Sequence, residues 1–443
     1  MSPRAKGRDV RFETPEGAIV MLEESHELPM VDVEVVLRTG AAHDPRDREG
    51  LARLTFALAR MGTGAMGRAE VEETLARLGG RLSVETGTSF VRFRATVIRR
   101  NLEPFVELLA ALVREPAMRA KDLAHLKRET ASDLVAARDN DRSLGARGFR
   151  RLLYGDDHPY GRSIAGRRAS IRAIRRADVV RHHRAHLVGP NLILGAAGDV
   201  TRAELERLVA RHFGGLSKRR PPRDEVRAPK RPRGRRVLIV DKPERTQTQL
   251  FIGTLGSRVH DADLYPLTVA NTAFGGTFTA RLMNEVRSKR GWSYGAYSRL
   301  GQDRQRDAWY MWTFPAAKDA AACARLELEL LEQLLQGGLS AAEVKFAKDN
   351  LINGHCFEID TPSKRMEARI DCEVYGLPPD HWRRFTKLVR GVKRADANAA
   401  LKKRLSARDL AIAVVATADD VRADFEALPG VSSIEVLPYD KLD

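Results

Sequence analysis

The chain has 443 residues, with 76 Lys and Arg against 59 Asp and Glu, a formal net charge of +17, 43% hydrophobic and 30% charged residues. That balance excludes a disordered or fibrous chain, and at roughly 100 to 200 residues per domain the length implies two to four domains, each with its own core. The N-terminus, MSPRAKGRDVRFETPEG, lacks the apolar stretch of a secretory signal, and no run approaches the ~18 apolar residues of a membrane helix. The expectation is a soluble, cytoplasmic protein that engages no membrane.

In chain order, Val31, Val33, Val35 and Leu37 alternate with Asp32, Glu34 and Arg38 and stop at Gly40, which predicts a half-buried strand. Leu51, Leu54, Leu58 and Met61 then form one apolar helical stripe. In SFVRFRATV, Val91, Phe93, Ala95 and Val97 share a strand face, and LEPFVELLAALV from Leu102 reads as a long amphipathic helix. LILGAAGD from Leu192 is a short apolar strand that leads into another helix. Residues 218–236, KRRPPRDEVRAPKRPRGRR, hold ten Lys or Arg interleaved with proline and almost no aliphatic residue. Such a stretch forms no core and predicts an extended linker, with a nucleic-acid-binding arm as the alternative.

Beyond the linker the same order returns. QTQLFIGTLG ends at Gly256, LYPLTVANTAF opens a helix, and DAWYMWTF places Ala308, Tyr310, Trp312 and Phe314 in alternation. ARLELELLEQLL from Ala324 closes at Gly337 and Gly338, SAAE at Ser340 to Glu343 resembles a capping box, and LAIAVVATADD follows from Leu410. The repeat has an offset near 216 to 221 residues. It predicts an α+β fold of two homologous domains, 1–217 and 237–443, each a mostly antiparallel sheet with helices packed on one face.

Chemistry-bearing motifs are sparse. Cys323, Cys356 and Cys372 form no CxxC pair and read as reduced thiols. His182 and His186 have the i, i+4 spacing of helical zinc ligands, but RHHRAHLVGPN carries no glutamate between its histidines to serve as a base. A polar helix end is the ordinary account of His182, His183 and His186. No nucleophile elbow, phosphate-binding loop or dinucleotide fingerprint is present. The basic excess is spread along the chain without an RNA-binding aromatic signature or zinc-finger spacing, which makes nucleic acid an unlikely partner.

Several segments together resemble the insulinase, pitrilysin and mitochondrial processing peptidase family of inverted-motif zinc peptidases. GLARLTFALARMGT from Gly50 is similar to the zinc helix of active members, GLAHxxEHMLFKGT. LGGRLSVETG from Leu78, HPYGRSIAG from His158, HHRAHLVGPNLILGAAGDV from His182 and AFGGTFTARLMNEVRSKRGWSYGAYS from Ala273 extend the likeness over nearly the whole chain. The resemblance implies two zinc-ligating His and a Glu base at the positions that here hold Arg53, Phe56 and Ala57. A guanidinium offers only donors, a phenyl ring abstracts no proton, and a methyl group has no lone pair. Asp133 falls where active members carry a third, carboxylate ligand, and one carboxylate does not hold zinc. An Arg53 to Asp133 ion pair across the vacated site is a further expectation.

The resemblance also implies an Arg and a Tyr, seven residues apart, that hold peptide substrate near a partner's zinc. Arg287 and Tyr294 match that spacing, with Arg290 the competitor if the register slips. The implied function is a substrate-binding subunit of a heterodimeric zinc metallopeptidase, with no cofactor of its own. Its partners would be a homologous subunit that carries HxxEH and zinc, and an unfolded peptide. A catalytically inert structural or assembly subunit of the same family is the alternative, and the positive charge would favour acidic peptides or an acidic partner surface.

Overall fold

The alternating apolar segments build two six-stranded sheets. In this computed structural model, which describes residues 9–223 and 226–442, the first sheet comprises β1 (Asp9–Glu13), β2 (Ile19–Glu24), β3 (Met30–Leu37), β4 (Arg81–Thr86), β5 (Val91–Ile98) and β6 (Leu192–Gly198). Their order is β1-β2-β6-β3-β5-β4. The second sheet contains β7 (Arg235–Asp241), β8 (Gln249–Leu255), β9 (Ala296–Leu300), β10 (Ala308–Thr313), β11 (Leu410–Ala416) and β12 (Val431–Pro438), in the order β12-β7-β11-β8-β10-β9. Residues before 9, read as lacking an export signal, and residues 224 and 225 of the expected linker lie outside the described residues. Among the described residues no helix is long and apolar enough to cross a membrane.

The two sheets repeat strand for strand except at one edge. In the first sheet β1 runs antiparallel to β2; in the second, the matching edge is taken by the C-terminal β12, parallel to β7. The segment ahead of β7 is the proline-interleaved basic stretch, and proline has no N–H to donate to a ladder, so the C-terminus supplies the edge instead. β7 begins at Arg235, inside the stretch expected to be linker. The Arg235 guanidinium donates to the carbonyls of Ala407 and Pro429 and to Glu332, which makes it an anchor of the sheet rather than a solvated linker charge.

Each sheet carries most of its helices on one face. In the first, Val31, Val33, Val35 and Leu37 of β3 meet Phe56, Phe105, Leu109 and Val113 from helices Leu51–Ala59 and Leu102–Arg114. In the second, Ile252, Trp309 and Met311 meet Leu267, Leu328 and Leu331. Ser340 and Glu343 form the expected reciprocal cap on helix Ala341–Glu358, Ser340 N–H donating to Glu343 Oε2 at 2.8 Å and Glu343 N–H to Ser340 Oγ at 3.2 Å.

The compact units differ from the contiguous halves in one respect: each takes a helix from the other half of the sequence. The first unit comprises residues 1–132, 163–225 and 356–382; the second, residues 133–162, 226–355 and 383–443. Helix Pro362–Tyr375 covers the second face of the first sheet, packing Met366, Ile370 and Val374 on Ile19, Met21, Val36 and Ile193. Helix Asp141–Tyr154 covers the second face of the other sheet, packing Phe149 and Leu153 on Phe251, Leu255, Ala411 and Ala413. This explains why half-buried Tyr310 and Trp312 alternate with fully buried Trp309 and Met311: both faces of β10 are covered.

Two predictions concern these cores. A Cβ added to Gly195 would sit 2.7 Å from Ile370 Cδ1 and 2.8 Å from Met366 Sδ. Gly195→Val should therefore lower stability by about 1 to 3 kcal/mol in denaturant unfolding, the usual cost of overpacking. Glu327 lies in the second core at 0% exposure, Oε1 3.8 Å from Cys323 Sγ and Oε2 without a hydrogen-bond partner among the described residues. Burial pushes its carboxyl up to about 8. The folded state thus keeps a proton that the unfolded chain loses near 4.5, so this group's contribution to stability is full below 4.5 and falls as pH rises toward 8. In Glu327→Gln that dependence should vanish, the variant gaining on the parent by about 1.4 kcal/mol per pH unit across the window in pH-resolved urea unfolding.

Candidate functional site

Helix Leu51–Ala59 begins where Asp44 accepts hydrogen bonds from the backbone N–H of Gly50 and Ala52, both at 2.8 Å. Arg53 and Ala57, one turn apart, lie half-buried along it, and Phe56 points inward at 1% exposure. Arg53 Nη1 donates to Thr130 Oγ1 at 3.3 Å, on helix Ala120–Ala136. Asp133 is three residues further along that helix, on its exposed side. The Phe56 ring meets Phe93 edge-on at 6.2 Å and packs near His182 and His183. These residues do not fit zinc: Arg53 is a cation without a lone pair to give, Phe56 is a core phenyl ring, Ala57 has no donor atom, and the one carboxylate, Asp133, does not hold the ion alone.

The histidines on helix Arg176–His186 are buried instead of forming a polar helix end. His183 Nε2 contacts the Val113 carbonyl at 2.7 Å. The His182 and His186 rings lie 4.4 Å apart, with His43 4.9 Å from His186. Burial, reinforced by His43, depresses His186 to about 3, and burial also lowers His182 and His183, so all three are neutral at pH 7. Among the described residues no group of three or more His, Cys, Asp or Glu side chains is placed to hold a metal ion.

Arg287 and Tyr294 are brought together. Helix Leu264–Asn271 widens into a π-turn at Thr272–Gly276, a turn carries Phe278, and the helical turn Arg281–Met283 widens into a second π-turn at Asn284–Ser288 that holds Arg287. Such widened turns re-aim side chains and are frequent at functional sites. Gly291, at φ +66°, closes the turn by donating its N–H to the Arg287 carbonyl at 2.9 Å, and the chain returns toward β9 with Tyr294 76% exposed. Arg287 Cζ lies 4.5 Å from the Tyr294 ring centre and 4.4 Å from that of Phe278. Arg290, the competing candidate, pairs with Glu285 at 2.9 Å, and Lys289 takes the other oxygen at 2.6 Å. These two contacts hold the Glu285 carboxyl below its ordinary value. Sequence reasoning passed over Phe278, the one large apolar side chain in a turn otherwise built of Gly, Thr and Ala, and that mismatch was its only signal.

Two family models match the chain: residues 19–153 match the insulinase family (peptidase family M16), and residues 173–351 match the peptidase M16 inactive domain. The chain belongs to the insulinase family of peptidases. An uncharacterized zinc protease of Mycobacterium tuberculosis is 28% identical over 365 residues, which is 80% of this chain and 81% of the relative. One from Bacillus subtilis is 18% identical over 356 residues, 80% and 86% of the two chains. Among solved structures, a peptidase M16 inactive domain from Pseudomonas fluorescens matches with a TM-score of 0.85 at 24% identity, covering 92% of this chain and 98% of that one. The periplasmic protease PqqL of Escherichia coli matches at 0.78 and 14% identity, over 96% of this chain and 49% of its own. At these identities the structures establish the shared fold.

Reinstating the zinc motif should be costly here. Phe56→Glu would place a carboxyl against Phe93 in the first core, and should destabilise the chain by about 3 kcal/mol or more in thermal or urea unfolding, whereas Ala57→His on the half-buried side should stay within about 1 kcal/mol.

Proposed function

We propose that this chain is the non-zinc-binding, substrate-binding subunit of a two-chain zinc metallopeptidase, supplying Arg287 and Tyr294 to a homologous partner that carries HxxEH and the metal. The observation that carries this reading is the Arg287 guanidinium lying over the exposed Tyr294 ring, while the neighbouring carboxylate of Glu285 is taken by Lys289 and Arg290. A guanidinium carries five N–H donors, and contact with ring faces leaves donors for another acceptor, as a carboxylate pair would not. A peptide carbonyl can accept from them and from the Tyr294 hydroxyl, which orients the chain and stabilises negative charge as it develops on that oxygen. Bond cleavage belongs to the partner, since Arg53, Phe56 and Ala57 hold no metal and abstract no proton. The +17 charge supports attraction to acidic peptides or an acidic partner surface.

The test is peptide hydrolysis by this chain alone with added zinc, by the HxxEH-bearing homologue from the same source, and by their mixture. Activity should require the mixture and should fall about 100-fold or more in kcat for Arg287→Ala, with a smaller fall for Tyr294→Phe, as for loss of a donor to a developing oxyanion. Tyr294→Phe should unfold within about 0.5 kcal/mol of the parent because Tyr294 is exposed, and Arg287→Ala, at a half-buried position, within about 1 kcal/mol. A stable but inactive mixture would favour the structural-subunit reading, and zinc-dependent activity of this chain alone would overturn both.

A further inference from the structure

Phe278 has no packing role that requires an aromatic ring. It is 60% exposed, in the turn between two π-turns, and its ring centre lies 4.4 Å from Arg287 Cζ. Tyr294 offers its ring to the same guanidinium at 4.5 Å, at 76% exposure. Within this segment the other three cations are held by carboxylates, Arg281 on Glu343 and Lys289 and Arg290 both on Glu285. Arg287 is held by aromatic faces. An ion pair would consume the N–H donors; contact with ring faces leaves donors for a further acceptor.

Two exposed rings that flank a donor edge make a surface with a defined complement. The edge takes a main-chain oxygen, and the rings gain when apolar area covers them. An extended peptide advances about 3.3 Å per residue and sends successive side chains to opposite sides, so a carbonyl held by Arg287 brings an adjacent side chain against the rings. We infer that Phe278 and Tyr294 clamp the Arg287 guanidinium and form with it an apolar subsite for extended peptides that carry an aromatic or large aliphatic side chain beside the bound carbonyl. Phe278 is then a positioning residue for Arg287 and a contact for the substrate side chain. The inference rests on the reading of Arg287 and Tyr294 as substrate-binding, and it adds the substrate class.

The experiment is fluorescence anisotropy of dye-labelled, unstructured ten-residue peptides with the full chain, in a Gly/Ser/Glu host with one central Phe, Leu or Ala. The Phe and Leu peptides should bind at least about threefold tighter than the Ala peptide. Phe278→Ala should weaken the Phe peptide about three- to fivefold and flatten the ranking, the size expected for an exposed cation–π contact, and Phe278→Trp should restore both. As a readout that a merely structural role would not move, the Arg287 Nε–H resonance in an arginine-labelled sample should be displaced by the rings, shift in Phe278→Ala and return in Phe278→Trp. Equal affinities for the three peptides, or a Phe278→Ala variant that keeps affinity, ranking and resonance while Arg287→Ala abolishes binding, would overturn the inference and leave the substrate-binding reading standing. Failure of every peptide to bind the parent chain would remove both.

Discussion

Both faces of each six-stranded sheet are apolar, and the rest of the molecule depends on covering the second one. A helix of fourteen residues is marginal alone in water, and a sheet with one bare apolar face is insoluble, so each element is stable only in the other's presence. Helix Pro362–Tyr375 performs this for the first sheet and helix Asp141–Tyr154 for the second, each drawn from the opposite half of the sequence. Under the first of these helices lies a charged layer: Arg92, 2% exposed, donates to Glu367 at 2.7 Å and to Asp371 at 2.5 Å, with Glu34 beside it. Burial pushes Glu34 up to about 7 against the pull of Arg92. With Arg92 buried and its carboxylate partners partly exposed, such pairs add little net stability, yet breaking one would leave the Arg92 charge buried without its partner.

The repeated scaffold carries regular and irregular helix in its two units. In the first unit helix Leu51–Ala59 is capped by Asp44, and Arg53, Phe56 and Ala57 along it supply a hydrogen bond to Thr130, a core ring and a methyl group. In the second unit the corresponding region is irregular: two π-turns interrupt the helical run and leave Arg287 directed at aromatic rings. Regular helix there supports packing, and departure from it here re-aims side chains.

Much of this was legible in the sequence because it rests on local periodicity. The alternation of Val31 to Leu37 and of Val91 to Val97 and the capping pair Ser340 and Glu343 survive into the structure, and Arg287 and Tyr294, singled out by the family resemblance alone, lie side by side. What was not legible depends on partners distant in sequence. The apolar face of helix Pro362–Tyr375 reads the same whichever sheet it will cover, so the exchange leaves no local trace. Burial of His182, His183 and His186 comes from what packs around them, since imidazoles pattern as polar until the environment removes their water. Phe278 contacts a residue nine positions away across an irregular turn, where no helical or strand period applies.

The exchange of helices also sets an order of events during synthesis. The first sheet is complete in sequence once Gly198 has been made, but the helix that covers its second face begins at Pro362. At typical elongation rates of about 5 to 20 residues per second that face waits roughly 10 to 30 s for its cover. While it waits, it presents Ile19, Met21, Val36 and Ile193 interspersed with Glu23, Asp32, Glu34 and Arg92, and charges on an apolar strand face discourage pairing with other chains. The charged layer that later pairs with the helix thus also protects the nascent chain before that helix exists.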